Sequence, residues 1–318
     1  MPTERYDLGP MVASWVRSLR ARNASDNTIR IYLNASTKFR DFLLNDYEPA
    51  DENARDAPEE LDEIHREHIE AYVTATMRRT SPANAHNHYR SLKTMFTWLV
   101  DEEELDKHPM RSMKPPALPE VQVPVIPDDH LKKLFSTVKG KTYAQRRDAA
   151  LLLLFLDTGV RLSECTDRKV GDLDLDLKVL RVLGKKSKWR SVPFGHTTAQ
   201  ALDRYLRAAA KHKGRPLEDD MWLWWGADRR HVYHRFTISG VAQMLKDRCA
   251  EAGIPPLHPH QFRHTFAHKW KLDGGSDDDL MRITGWSSRE MISRYGASAG
   301  AERARIAHAR HSPVDGLL

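Results

Sequence analysis

Six prolines, Pro109, Pro115, Pro116, Pro119, Pro124 and Pro127, fall within nineteen residues of this 318-residue chain. Proline removes a backbone donor, fixes φ and pushes the residue before it out of helix. No helix or central strand can run through such a stretch. It divides the chain, and the spacing predicts an extended linker over about 109–127 between two domains, 1–118 and 119–318. Each piece is large enough to hold a core of its own.

The first piece has a helical pattern throughout. Trp15, Val16 and Leu19 recur at helical spacing, and Ser25-Asp26-Asn27 supplies a cap for a helix over 28–44 with Ile29, Tyr32, Leu33 and Phe39 on its apolar side. A third helix is predicted over 66–78, and a fourth follows Ser81-Pro82 with Tyr89, Leu92, Met95, Phe96 and Leu99. The second piece is mixed. Helices are predicted over 128–134, 143–158, 197–211, 237–252, 261–271, 277–283 and 288–295, whereas VLRVLGKKSKWRSVPF alternates on both sides of a Gly-Lys-rich turn and predicts a β-hairpin. The expected fold class is mostly α, with a small β-sheet in the second domain only. MWLWWG, with Trp222 and Trp224 alternating, predicts a strand packed into the core, base stacking being the other use of such a cluster.

Composition excludes several classes. The longest apolar run, Ala149 to Leu156, is eight residues, far short of the roughly 20 a bilayer span requires. Cys165 and Cys249 stand 84 positions apart with no CxxC, which argues against a disulfide framework or a cysteine zinc site. With no signal-peptide layout in MPTERYDLGP, the expected location is the cytoplasm. The net charge is +6, but residues 50–70 carry nine acids against two bases, leaving about +13 elsewhere. A polyanion such as DNA fits that distribution. Thr28, Arg30, Lys38, Arg90 and Lys93 lie on helical stretches that can meet phosphates, or form an ordinary solvated basic surface.

Three segments carry chemistry. In TGVRLSE an apolar helix stops at Gly159, Arg161 follows, and Glu164 comes three residues later, at ion-pair spacing. In HPHQFRHTFAH, His260, His264 and His268 fall at i, i+4 and i+8, which invites a zinc reading. The metalloprotease pattern needs a glutamate beside the first histidine, whereas Gln261 stands there, and Arg263 on the same face repels a dication. His260 beside Arg263 suits a phosphate better than a metal. In ITGWSSREMISRYG, Trp286 and Tyr295 would each be ordinary core or turn residues if met alone.

Together, in this order, the segments resemble the tyrosine recombinases, or phage-integrase family, with its Xer- and Cre-type members. The resemblance covers nearly the whole chain: NTIRIYLNASTKFRDFL is similar to the family's core-binding domain, which implies an all-α DNA-binding domain ahead of a mixed α/β catalytic domain. It implies catalytic roles for Arg161, Lys185, His260, Arg263, Trp286 and Tyr295, with Glu164 and His264 in support. Lys186 and Lys188 are alternatives to Lys185 on the same turn and further candidates for DNA contact. Many relatives have histidine where this chain has Trp286, but Cre-type members have tryptophan. Helical core-binding sequence starts within the first 12 residues or so, so a separate arm-binding domain is not expected.

The implied chemistry is coherent. Arg161 and Arg263 each offer two N–H donors to a scissile phosphate. Tyr295 attacks phosphorus to give a 3′-phosphotyrosine, with His260 as base and Lys185 protonating the departing 5′-oxygen. Trp286 donates its indole N–H to the phosphate and packs the nucleophile's helix; Glu164 orients its neighbours. Religation reverses the step, so neither a metal nor another cofactor is expected. The implied partners are double-stranded DNA at specific sites, three further copies in a synaptic tetramer, and an accessory factor or second recombinase. The residues also leave open a type IB topoisomerase-like relaxing enzyme and a non-catalytic DNA-binding regulator.

Overall fold

The computed structural model describes residues 9–119, 124–184, 188–226 and 234–315, with the side chains of 9–10, 293–298 and 301 outside that description. The chain separates into two compact units, Met1–Glu120 and Val121–Leu318.

Unit 1 is built from α1 (Gly9–Ala21), α2 (Asp26–Asn45), α3 (Arg66–Arg79) and α4 (Pro82–Asp101). The caps are local. Ser25 Oγ accepts the Thr28 N–H and Ser81 Oγ accepts that of Asn84, with Pro82 in the first turn, where its missing donor costs nothing. The core is aromatic: Trp15 stacks on Tyr32, and Phe39 meets Tyr72 edge-on at 5.2 Å. Within it the Tyr72 hydroxyl lies 2.6 Å from His88 Nδ1. The acidic segment after α2 is irregular, and His68 fastens it by accepting the His65 N–H and contacting the Asp56 carbonyl.

The proline-rich segment forms no helix or strand among its described residues, but it is not free along its length. Met110 and Met113 are buried in the unit 1 core, and the Tyr89 hydroxyl donates to the Met113 carbonyl at 2.6 Å. At the far end Ile126 is buried in unit 2. Apolar side chains between the prolines dock both ends, which proline spacing alone does not reveal.

Unit 2 contains α5 (Asp128–Ser136), α6 (Tyr143–Thr158), α7 (Leu162–Thr166), a 3₁₀ turn (Val170–Asp172), strands β1 (Leu173–Asp174), β2 (Val179–Leu183) and β3 (Trp189–Pro193), then α8 (His196–Lys213), α9 (Ile238–Glu251), α10 (Pro259–Leu272), α11 (Asp277–Thr284) and α12 (Arg289–His311). The sheet is antiparallel in the order β1-β2-β3, with Leu183 opposite Trp189 and Val182 opposite Arg190. β1 is too short to show an alternation in the sequence. α6 is central and apolar nearly all round because α8 and α10 both pack on it.

Two expectations need correction. Trp224 is buried as foreseen, but Leu223 is buried beside it and the segment is no strand; it makes isolated bridges, Lys169 to Trp222 and Trp225 to Arg235, and Trp222 is only half-buried beneath the Arg235 guanidinium. Nor does the last helix stop near Tyr295: α12 continues through Gly296 and Gly300 to His311. Each helical glycine costs about 1 kcal/mol relative to alanine. Burial of Ile292 and Ala299, and the His268–Glu302 contact at 3.2 Å with α10, hold the helix together. Among the described residues, no helix is long and apolar enough to cross a membrane.

Candidate active site

The site grows from the end of α6. Gly159 caps that helix at φ +59°, a left-handed conformation, and a Cβ there would lie 2.7 Å from the Phe266 ring. Only glycine suits both demands. The turn places Arg161 as the cap of the short α7, one turn ahead of Glu164.

Glu164 is the hub of the site. Its side chain is 5% exposed and takes four donors: Arg161 N–H at 3.0 Å, Arg161 Nη1 at 2.7 Å, and Arg190 Nη1 and Nη2 at 2.9 and 2.8 Å. Burial alone would raise its pKa; Arg190 and then Arg161 outweigh that and hold it below the ordinary value. The ion pair expected between Arg161 and Glu164 is therefore present, but the fork–fork partner of the carboxylate is Arg190. Arg190 lies outside the set of residues that the resemblance implies. A signal existed: alternation along β3 turns Arg190 to the same side as buried Val192, and an arginine on an inward strand position demands an acid.

Arg190 has a further hold. Its Nε donates to the Ile283 carbonyl at 3.0 Å, near the end of α11. Gly285 then ends α11 at φ +66°, and a Cβ there would come within 3.0 Å of the Arg190 guanidinium carbon. Arg263, on α10, reaches the same corner. It is 1% exposed, and its Nη1 and Nη2 donate to the carbonyls of Gly159 and Thr284 at 2.8 and 2.7 Å. Arg161 Nη1 lies 3.4 Å from that same Thr284 oxygen. Each terminal nitrogen of Arg263 thus already spends a hydrogen on the main chain. Arg161 is more accessible, its side chain 27% exposed.

Trp286 follows the Gly285 cap, buried with Phe266, Ala267, Leu280 and Ile292; the Arg263 guanidinium lies 4.9 Å from its ring centre. Ile292 belongs to α12, so Trp286 does pack the helix that carries position 295. His260 sits exposed on the first turn of α10, and its ring meets buried His264 edge-on at 4.9 Å. His268 turns instead to Glu302, and among the described residues no three His, Cys, Asp or Glu side chains gather as metal ligands. Lys185 and Lys186 lie outside the described residues, as does the Tyr295 side chain. Lys188 is exposed at the base of the turn, where its carbonyl accepts the Gly184 N–H at 2.8 Å.

In unit 1, Arg90 and Lys93 are exposed and line a groove of about 290 Å³ with Arg22, a third cation not anticipated from the sequence. Thr28 is engaged with the Ser25 cap, Arg30 donates to Asn27 at 2.6 Å, and Lys38 borders a separate cavity beside Asp41 and Asp46. The structure thus brings Arg90 and Lys93 together but not all five.

Comparison with known proteins follows the same division. Residues 124–302 match the phage integrase family, and residues 11–105 match the phage integrase N-terminal SAM-like domain. The tyrosine recombinase XerD of Listeria monocytogenes is 28% identical over 260 residues, covering 80% of this chain and 82% of that protein. XerC of Staphylococcus haemolyticus is 26% identical over 291 residues, covering 86% and 87%. A crystal structure of the XerH site-specific recombinase bound to a palindromic difH substrate matches with a TM-score of 0.71, covering 91% of this chain and 81% of that one at 16% identity, a likeness of fold.

Proposed function

The chain belongs to the phage integrase family, and on that premise we propose that it is a site-specific DNA recombinase which cuts and rejoins strands through a 3′-phosphotyrosyl intermediate. The observation that carries the reading is the convergence of Arg161, Arg263, Glu164 and Trp286 on the corner where α6 and α11 end beside the N-terminal half of α10.

The residues divide the work by chemistry. Arg161, the more accessible of the two cations, binds a non-bridging oxygen of the scissile phosphate; Arg263, fixed by two carbonyls, supplies a second charge whose position is set before DNA arrives. The Tyr295 oxygen forms a bond to phosphorus while the bond to O5′ breaks. The phenol proton leaves toward His260, and Lys185 returns one to O5′, which departs as a hydroxyl. Trp286 offers its indole N–H to the phosphate. The phosphotyrosine keeps the bond's free energy, so a 5′-hydroxyl from another strand reverses the step without ATP.

Double-stranded DNA at a defined site is the substrate, unit 1 grips the duplex through Arg90 and Lys93, and strand exchange runs in a tetramer in the cytoplasm, with an accessory protein or second recombinase setting direction. A nicked suicide duplex carrying a candidate attachment or resolution site, incubated in EDTA, tests the reading. Wild type forms a covalent adduct and Tyr295→Phe does not. Binding without an adduct on every site tried favours a non-catalytic regulator, and metal-dependent cleavage that survives Tyr295→Phe overturns the mechanism.

A further inference from the structure

Glu164 stands between two arginines, and only one of them has a role in the reaction above. Arg190 takes both carboxylate oxygens at 2.9 and 2.8 Å; Arg161 reaches the carboxylate through a single terminal nitrogen, Nη1, and the main-chain N–H. Arg190 is itself enclosed, its side chain 14% exposed, and its Nε is committed to the Ile283 carbonyl at 3.0 Å. It cannot swing toward a phosphate without abandoning three bonds. It therefore acts through Glu164.

What it does there follows from charge. A carboxylate next to a lone arginine takes the bidentate fork and neutralises it. Here the fork belongs to Arg190. With its carboxylate shared with a second arginine, Glu164 holds Arg161 through one terminal nitrogen and offsets less of its charge, leaving the remaining guanidinium donors for a phosphate. We infer that Arg190 is a positioning residue of the recombination reaction: by occupying Glu164 it keeps Arg161 oriented yet un-neutralised for the scissile phosphate. The inference rests on the recombinase reading and adds to it a residue outside the expected catalytic set.

The test is single-turnover adduct formation on the nicked site that wild type cleaves, with DNA affinity measured alongside. Arg190→Gln slows the covalent step roughly 10²-fold, the range for losing one transition-state donor, with affinity unchanged within about twofold. Arg190→Lys, which keeps the charge, stays within about tenfold of wild type. The decisive arm is the double variant Arg190→Gln/Glu164→Gln. Removing the carboxylate relieves Arg161 of the partner that neutralises it, so the double variant is at least about tenfold faster than Arg190→Gln alone. A merely structural role gives a double variant as slow or slower, and that result overturns the inference. So does an Arg190→Gln protein that cleaves at the wild-type rate, or one whose cleavage falls only in step with its affinity. A substrate with sulfur replacing the 5′-bridging oxygen needs no proton on departure. Loss that persists on it supports an action through Arg161, and loss that disappears assigns Arg190 to the leaving group instead. Failure of wild type to form a Tyr295-dependent adduct falls on the recombinase reading, not on Arg190.

Discussion

Arg161 and Arg263 donate to one acceptor. The Thr284 carbonyl oxygen lies 3.4 Å from Nη1 of the first and 2.7 Å from Nη2 of the second. Like charges so placed repel, and what holds them is the end of α11, whose last carbonyls have no partner within the helix and carry partial negative charge. The helix terminus thus gathers two cations on one main-chain oxygen.

The two arginines differ in what their loss does. Arg263→Ala strips the buried Gly159 carbonyl of its Arg263 donor and leaves Thr284 only the longer Arg161 contact, so stability falls by about 2–4 kcal/mol along with cleavage. Arg161→Ala costs about 1 kcal/mol or less yet removes adduct formation equally. Urea unfolding of the full chain, set beside suicide-substrate cleavage, separates the two.

Gly159→Ala has a double effect. The left-handed backbone costs a non-glycine residue about 1–2 kcal/mol, and the new methyl meets the Phe266 ring. Because the Gly159 carbonyl anchors Arg263, cleavage falls more than stability does. Adding Phe266→Leu recovers the steric part in thermal melts but not the backbone part.

Acid sensitivity should trace to Glu164. Its folded-state pKa is depressed from the ordinary 4.5 by Arg190 and Arg161, against burial. The folded state therefore binds fewer protons than the unfolded chain in this range. The stabilisation is complete above the unfolded value and is lost as pH falls through the folded one. Below about pH 4.5, Glu164→Gln loses stability with falling pH more gently than wild type, as urea midpoints at stepped pH will show.

Unit 1 holds a second titration. Burial, and after it Lys38, lowers the His88 pKa, while burial pushes the Tyr72 hydroxyl up to about 12, so a neutral imidazole and a neutral phenol share the 2.6 Å hydrogen bond. A depressed histidine gives stability that is full above about pH 6.5 and declines as pH falls. Between pH 7.5 and 5.5, wild-type unfolding followed by the fluorescence of Trp15 and Trp98 shifts to lower urea. His88→Gln shifts less, with His68 and His108, also lowered, supplying the remaining slope.

Most of this architecture was legible residue by residue. Ser25, Ser81 and Gly159 mark helix ends because capping chemistry is local, and the 179–193 hairpin shows in its alternation. What escaped depends on partners distant in sequence. Arg190 acquires meaning only when β3 brings it against Glu164, 26 positions earlier. The run of α12 through two glycines depends on packing against α10. Arg22 joins Arg90 and Lys93 only after α1 folds beside α4. Periodicity can turn a charge inward, as it does Arg190, but it does not name the partner in another element.

The docked ends of the proline-rich segment set a length. Met113 and Pro116 are moored to unit 1 by their carbonyls, on the Tyr89 hydroxyl and on His86 Nδ1, and the Ile126 N–H donates to Thr265 Oγ1 at 2.9 Å, so ten steps of chain, not the whole proline run, separate the last mooring in unit 1 from the first in unit 2. At no more than about 3.5 Å per residue those steps span at most about 35 Å. Its far mooring is on α10, two residues past Arg263, so a pull along this short leash arrives first at the helix that carries His260 and Arg263.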